Sequence, residues 1–180
     1  MVGGGASAAA SKIADDRVPW VEHGSGSEPV GRSVCAAVAR IASWDISIGP
    51  DGVGLPPGSG TPKQGEAVYA AKCTACHGEK GAGKPNDQLV GGQGTLSGDK
   101  PPVKTVGSFW PYATTVFDYV RRSMPHNESK SLNNDEVYAV VAYILNLNGI
   151  IADADMIDAR TLPKVKMPNR DGFVAFSRGK

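Results

Sequence analysis

The stretch Thr61-Pro62-Lys63-Gln64-Gly65-Glu66-Ala67-Val68-Tyr69-Ala70-Ala71-Lys72-Cys73-Thr74-Ala75-Cys76-His77 decides how this chain folds, and its last five residues decide the chemistry. Cys-x-x-Cys-His is the spacing of covalent c-type haem attachment. On one helical turn Cys73 and Cys76 share a face, so both sulfurs can bond the two vinyl-derived carbons of one porphyrin. His77 follows at once and can place an imidazole nitrogen on the iron as proximal ligand. With 3 Cys and 3 His in 180 residues, chance placement produces this pattern in roughly one such chain per thousand, a composition estimate set against the motif rule. Two other chemistries compete for the pair. A thiol redox site wants a lowered thiol pKa and a βαβ context, whereas the neighbourhood here reads as helix and loop. A zinc site wants two more ligands, and only Cys35, His23 and His126 remain, all far from the pair in sequence.

Working outward, Thr61 suits an N-cap and Pro62 the first helical position. Ala67, Val68, Ala71 and Ala75 then form a helical stripe leading into the cysteines. A second helix is predicted from about Asn133 to Leu147. Asn133 with Glu136 makes a variant capping box, and Val137, Val140, Val141, Ile144 and Leu145 recur at three- and four-residue intervals, so one face is buried. Asn148-Gly149 supplies the stop. A weaker helix spans Pro111 to Ser123, with Ala113, Val116, Phe117 and Val120 inward. Between Gly78 and Ser108 lie eight Gly and three Pro, a loop region long enough to need a structural or functional reason. No strand pair is evident, so the predicted class is all-α.

A six-coordinate haem needs a second axial ligand, and a thioether there favours ferrous iron, which suits an electron carrier. Of Met1, Met124, Met156 and Met167, the best placed is Met124, in Ser123-Met124-Pro125 between the weaker helix and the last one. The bland alternative for Met124 is an apolar gap-filler. His126, two residues on, competes as a ligand and would give a bis-His haem; Met167 lies outside the helical core. Arg121 and Arg122 flank the ligand loop, and a guanidinium pairs well with a haem propionate, although solvated helix charge also explains them. Trp110, Tyr112 and Tyr119 can wall a pocket or donate through their polar tips. Tyr69 and Tyr143 are expected where the first and last helices cross.

Composition narrows the rest. The chain has 23 Gly and 13 Pro among 180 residues, a fifth of its length against a usual share of roughly one eighth, which points to one loop-rich domain with tails. Three zones follow: an extended, flexible N-terminal segment over 1–60, a helical domain over 61–150 and an extended tail over 151–180. The net charge of +1 disfavours nucleic acid as a partner. No apolar run approaches the length of a membrane span. Within 61–150 there are 9 basic and 8 acidic residues, so long-range steering by charge is weak. Covalent haem attachment implies the bacterial periplasm, yet the export signal is poor. Val34–Ala39 is short, and Ala37-Val38-Ala39 has the form of a cleavage site, so residues before about 40, Cys35 included, read as an export remnant.

On the Cys73–His77 motif, the terminal helix Glu136–Leu147 and Met124-Pro125, the chain resembles a class I cytochrome c over about residues 61–150. Trp44-Asp45-Ile46, Asp51–Gly60, Gly107–Met124 and Leu162–Phe173 are further similar to the cytochrome subunits of sulfite and sulfane dehydrogenases. The resemblance implies a small all-α cytochrome c fold of three to five helices around one covalent haem c, with extended N- and C-terminal segments. It implies Cys73 and Cys76 as thioether anchors and His77 and Met124 as axial ligands; Trp110, Tyr119 and Arg122 are expected as further haem contacts from their own chemistry. It also implies a molybdenum-containing subunit that oxidises the sulfur compound and passes electrons to this chain, over which the terminal segments drape, and a downstream cytochrome or oxidase. Some family members carry two haems; one Cys-x-x-Cys-His here implies one. On this reading the chain is not an enzyme on its own. A free-standing periplasmic carrier, or a haem peroxidase or sensor with an open sixth site, is the competing class.

Overall fold

The computed structural model describes residues 45–99 and 101–174, with Val38 and Ile41. The chain divides into two compact units, Met1–Ile41 and Ala42–Lys180, and the fold described is that of the second. Cys35, His23 and nearly all of the expected export remnant lie outside the described residues.

Four α-helices carry the domain: α1 (Pro62–Lys72), α2 (Thr74–His77), α3 (Ala113–Ser123) and α4 (Asn134–Leu147). Short 3-10 turns fall at Glu79–Gly81, His126–Glu128 and Leu162–Lys164. The Thr61 hydroxyl accepts from the Gln64 N–H while the Gln64 side chain accepts from the Thr61 N–H, a complete capping box on α1. Asn133 and Glu136 do the same for α4, at 3.0 and 2.8 Å. Each box satisfies two amide donors that a helix start leaves unpaired.

The two capped helices cross where side chains are smallest. A Cβ on Gly65 would stand 1.9 Å from the Ala139 carbonyl oxygen, and one on Gly60 would stand 2.2 Å from the Ala139 nitrogen. Glycine is therefore required at both positions for the backbones to approach. Tyr69 and Tyr143 stack beside this crossing with ring centroids 5.4 Å apart, as expected. The buried face of α1 is Pro62, Gly65 and Tyr69. The stripe that marks the helix is not its buried face: Ala67, Ala71 and Ala75 are exposed and Val68 is half-buried. Alanine favours helix at any position, so its spacing marks the helix without marking the face.

α4 is buried on all sides, from Val137 through Leu145 without a break, and not along one face only. α1 covers one flank and α3 another, where the Phe117 and Tyr138 rings lie 4.4 Å apart. The third cover is the segment before α1. Tyr138 donates to the Pro56 carbonyl at 2.9 Å, Asn134 to that of Pro57 at 3.1 Å, and Asp135 accepts from the Ser59 N–H at 2.8 Å. Ile48 is buried and its N–H reaches Asp118 at 3.2 Å.

The C-terminal stretch completes the cover. β1 (Ser59–Gly60) and β2 (Ile157–Asp158) pair antiparallel, Ser59 opposite Asp158 and Gly60 opposite Ile157, a two-residue ladder that no sequence period announces. Ile157, Leu162 and Met167 join the core with Val120, Val141 and Leu145. The described parts of both terminal segments thus lie on this chain's own helices, extended but fastened by Ile48 before α1 and by Ile157, Leu162 and Met167 after α4.

Candidate haem site

The five motif residues are shaped by a kink. Cys73 ends α1 and caps α2 with φ −120° and ψ −33°, and the turn is held from both sides by Tyr69. The Tyr69 hydroxyl donates to the Gly78 carbonyl at 3.0 Å, and its own carbonyl accepts from the Thr74 hydroxyl at 3.2 Å. Burial pushes the Tyr69 phenol up to about 12, with Cys73 adding to it, so it remains a donor at neutral pH. The α2 turn closes with His77 N–H to Cys73 carbonyl at 2.9 Å, placing Cys73, Cys76 and His77 on one wall of a cavity.

That cavity measures about 460 Å³, within the range of cofactor pockets. Met124, at the C-cap of α3, lines it too. Its apolar wall includes Leu89, Val106, Val116, Val120, Val140 and Ile144. The glycine-rich loop earns its length here, because Asn86–Leu89 and Lys104–Val106 form one side. Asn148 pins the loop to the end of α4: its amide donates to the Leu89 carbonyl at 3.2 Å and its oxygen accepts from the Gly91 N–H at 2.9 Å.

His77 Nδ1 lies 2.8 Å from the Asp87 carbonyl oxygen. A carbonyl only accepts, so Nδ1 carries the proton and Nε2 keeps its lone pair. Such a contact orients a metal-binding imidazole and raises its basicity. Cys73 and Cys76 are both free thiols. Burial pushes the Cys73 thiol up to about 11, with Cys76 adding, opposite to the lowered pKa a thiol redox pair requires. Among the described residues no group of three or more His, Cys, Asp and Glu could hold a metal ion. Two thiols, one oriented imidazole, one thioether and an apolar wall in a single cavity fit a covalently held haem.

The remaining expected contacts divide. Trp110 and Tyr119 line the cavity, their rings 5.6 Å apart. Arg122 is not in the lining: it is held in a fork on Asp118 at 2.9 and 3.2 Å, and the cations in the lining are Lys72 and Lys104. The signal for this was present, since Asp118 precedes Arg122 by four positions on one helix face. Tyr112 is also outside the lining and carries Arg170 over its ring at 4.3 Å. Met167 packs in the core and does not line the cavity, while His126 does.

Residues 60–144 match the family described as cytochrome c oxidase, cbb3-type, subunit III. The crystal structure of the sulfane dehydrogenase SoxCD from Paracoccus pantotrophus is similar at TM-score 0.76 and 38% identity, over 88% of this chain and 74% of the matched one. Thiosulfate dehydrogenases of Psychrobacter arcticus and Allochromatium vinosum are 29% and 30% identical over 62% and 70% of this chain. This chain spans 36% and 40% of their lengths. A small, mostly helical domain whose cavity gathers the Cys-x-x-Cys-His residues and a methionine defines the class, and the chain belongs to the cytochrome c family. Membership of that family implies haem c binding and a part in electron transfer, and the chain is similar to a sulfane dehydrogenase. Among the described residues no helix is long and apolar enough to cross a membrane.

Proposed function

We propose that this chain is a monohaem, periplasmic one-electron relay that accepts electrons from a molybdenum-containing dehydrogenase subunit acting on an inorganic sulfur compound, and passes them to a downstream cytochrome or oxidase. The observation that carries it is the gathering of Cys73, Cys76, His77 and Met124 around one cavity. When bound, haem supplies an iron couple that gains and loses one electron with little change of ligands. Cys73 and Cys76 hold it by thioether bonds, and one Cys-x-x-Cys-His means one such attachment. His77 presents Nε2, aimed by the Asp87 carbonyl. Met124 would offer its sulfur to the iron from the end of α3. Trp110 and Tyr119 wall the pocket, and Lys104 meets propionate charge in place of Arg122. The domain runs over 61–150, with the flanking segments fastened to it.

The partner reading is supported by the relatives' names, sulfane dehydrogenase and thiosulfate dehydrogenase, and by the near balance of charge over 61–150, which suits a partner held by packing. Acid-acetone extraction leaves colour on the polypeptide if attachment is covalent; colourless protein overturns it. Carbon monoxide leaves the reduced wild-type spectrum unchanged and shifts that of Met124→Ala. An immediate shift in the wild type favours the open-site peroxidase or sensor. Sulfite-, thiosulfate- or sulfane-dependent reduction through a co-purifying molybdenum subunit tests the donor, and a chain that always elutes alone and is reduced by none of these is a free-standing carrier.

A further inference from the structure

Lys72 ends α1, one residue before Cys73, and lines the cavity. Glu128 ends the 3-10 turn that follows Met124. Their side chains meet at 3.1 Å across 56 positions of sequence. The other ion pairs described, Arg122–Asp118 and Arg160–Asp158, join near neighbours on one element or turn. Beyond Pro125 the segment from His126 to Ser131 is exposed throughout. Two of its backbone ties are the Glu128 N–H to Pro125 carbonyl bond at 2.9 Å and the Ser131 N–H to Glu128 carbonyl bond at 3.1 Å. Neither fastens the segment to the wall that carries the cysteines. The Lys72–Glu128 pair does.

We propose that Lys72 and Glu128 are positioning residues that latch the Met124 loop across the cavity mouth and set how often the sixth position opens. The inference rests on Met124 ligation. Swinging the sulfur away requires the segment after it to move, and Glu128 is four residues along that segment. The latch therefore holds Met124 against departure without touching it. Both side chains are about half exposed, at 44% and 51%, so the pair is worth little in absolute terms and is screened by salt. That weakness suits a latch, because a change in ionic surroundings alters the opening frequency while the fold stays intact.

The test uses the oxidised, haem-loaded chain with cyanide in excess, where the binding rate reaches a plateau set by departure of the internal ligand. Glu128→Gln and Lys72→Gln each raise the plateau rate by roughly two- to fivefold at low salt, the scale of an exposed ion pair. All three proteins converge near 1 M salt, where the screening length is about 3 Å. The charge exchange Lys72→Glu with Glu128→Lys restores the slow, salt-sensitive rate, and thermal midpoints stay where they were. Because Lys72 adjoins Cys73, Glu128→Gln carries the test if Lys72→Gln takes up haem poorly. Single variants that match the wild type at low salt, or a charge exchange as fast as the singles, overturn the latch alone. A wild-type rate that climbs with cyanide without a plateau and is indifferent to Met124→Ala overturns sulfur ligation and the latch together.

Discussion

Asp158 shows how much a single carboxylate can organise. One of its oxygens accepts from the Arg160 and Thr161 N–H groups, each at 2.8 Å, and these bonds hold the carboxyl down to about 2, the Thr161 amide contributing most. In the unfolded chain the group titrates near the ordinary value of about 4. Its contribution to stability is therefore complete above pH of about 4, falls as the unfolded state takes up the proton, and is gone below about 2. Asp158→Asn is expected to lower stability by an amount that is constant at neutral pH and shrinks over that interval, as read from urea unfolding at a series of pH values. At this scale Cys73, Cys76 and His77 were legible as a group because the spacing Cys-x-x-Cys-His is one a porphyrin would dictate, and the cavity brings them together. Arg122 stands outside the cavity lining because it is forked on Asp118, four positions before it, and Lys104 lines the cavity although nothing about a lysine between Val103 and Thr105 announces a wall.

Among the elements, the crossing of α1 and α4 is the most constrained contact. Gly65→Ala drives a methyl group into the Ala139 carbonyl, backbone that cannot rotate aside, so the helices must separate. We expect a loss of about 1–3 kcal/mol, the range for overpacking a tight interior, visible as a lower urea midpoint with the cavity-lining side of α2 still able to take haem. The start of each of these helices was legible to the residue, since a capping box is local chemistry written in four positions. The inward face of α1 was not. Its contact is made by the absence of a side chain at Gly65, which a search for apolar stripes passes over, while exposed alanines imitate the stripe.

For the molecule as a whole, the described terminal segments belong to the core. Leu162 is fully buried, so Leu162→Ala is expected to cost about 2–5 kcal/mol, measured by thermal or urea unfolding. A change near zero would mean that the tail is only laid on. Sequence periodicity could not foresee this, because Ile48, Ile157, Leu162 and Met167 are single anchors in otherwise polar stretches and repeat at no interval. The ladder between Ser59–Gly60 and Ile157–Asp158 joins positions about a hundred residues apart, and closing so long a loop carries a large entropic cost. A chain made from its N-terminus exposes α1, the cysteines and α4 before the second half of that ladder has been synthesised. Until that half arrives, the segment before α1 has no strand to pair with, and the two ends of the domain stay unclasped.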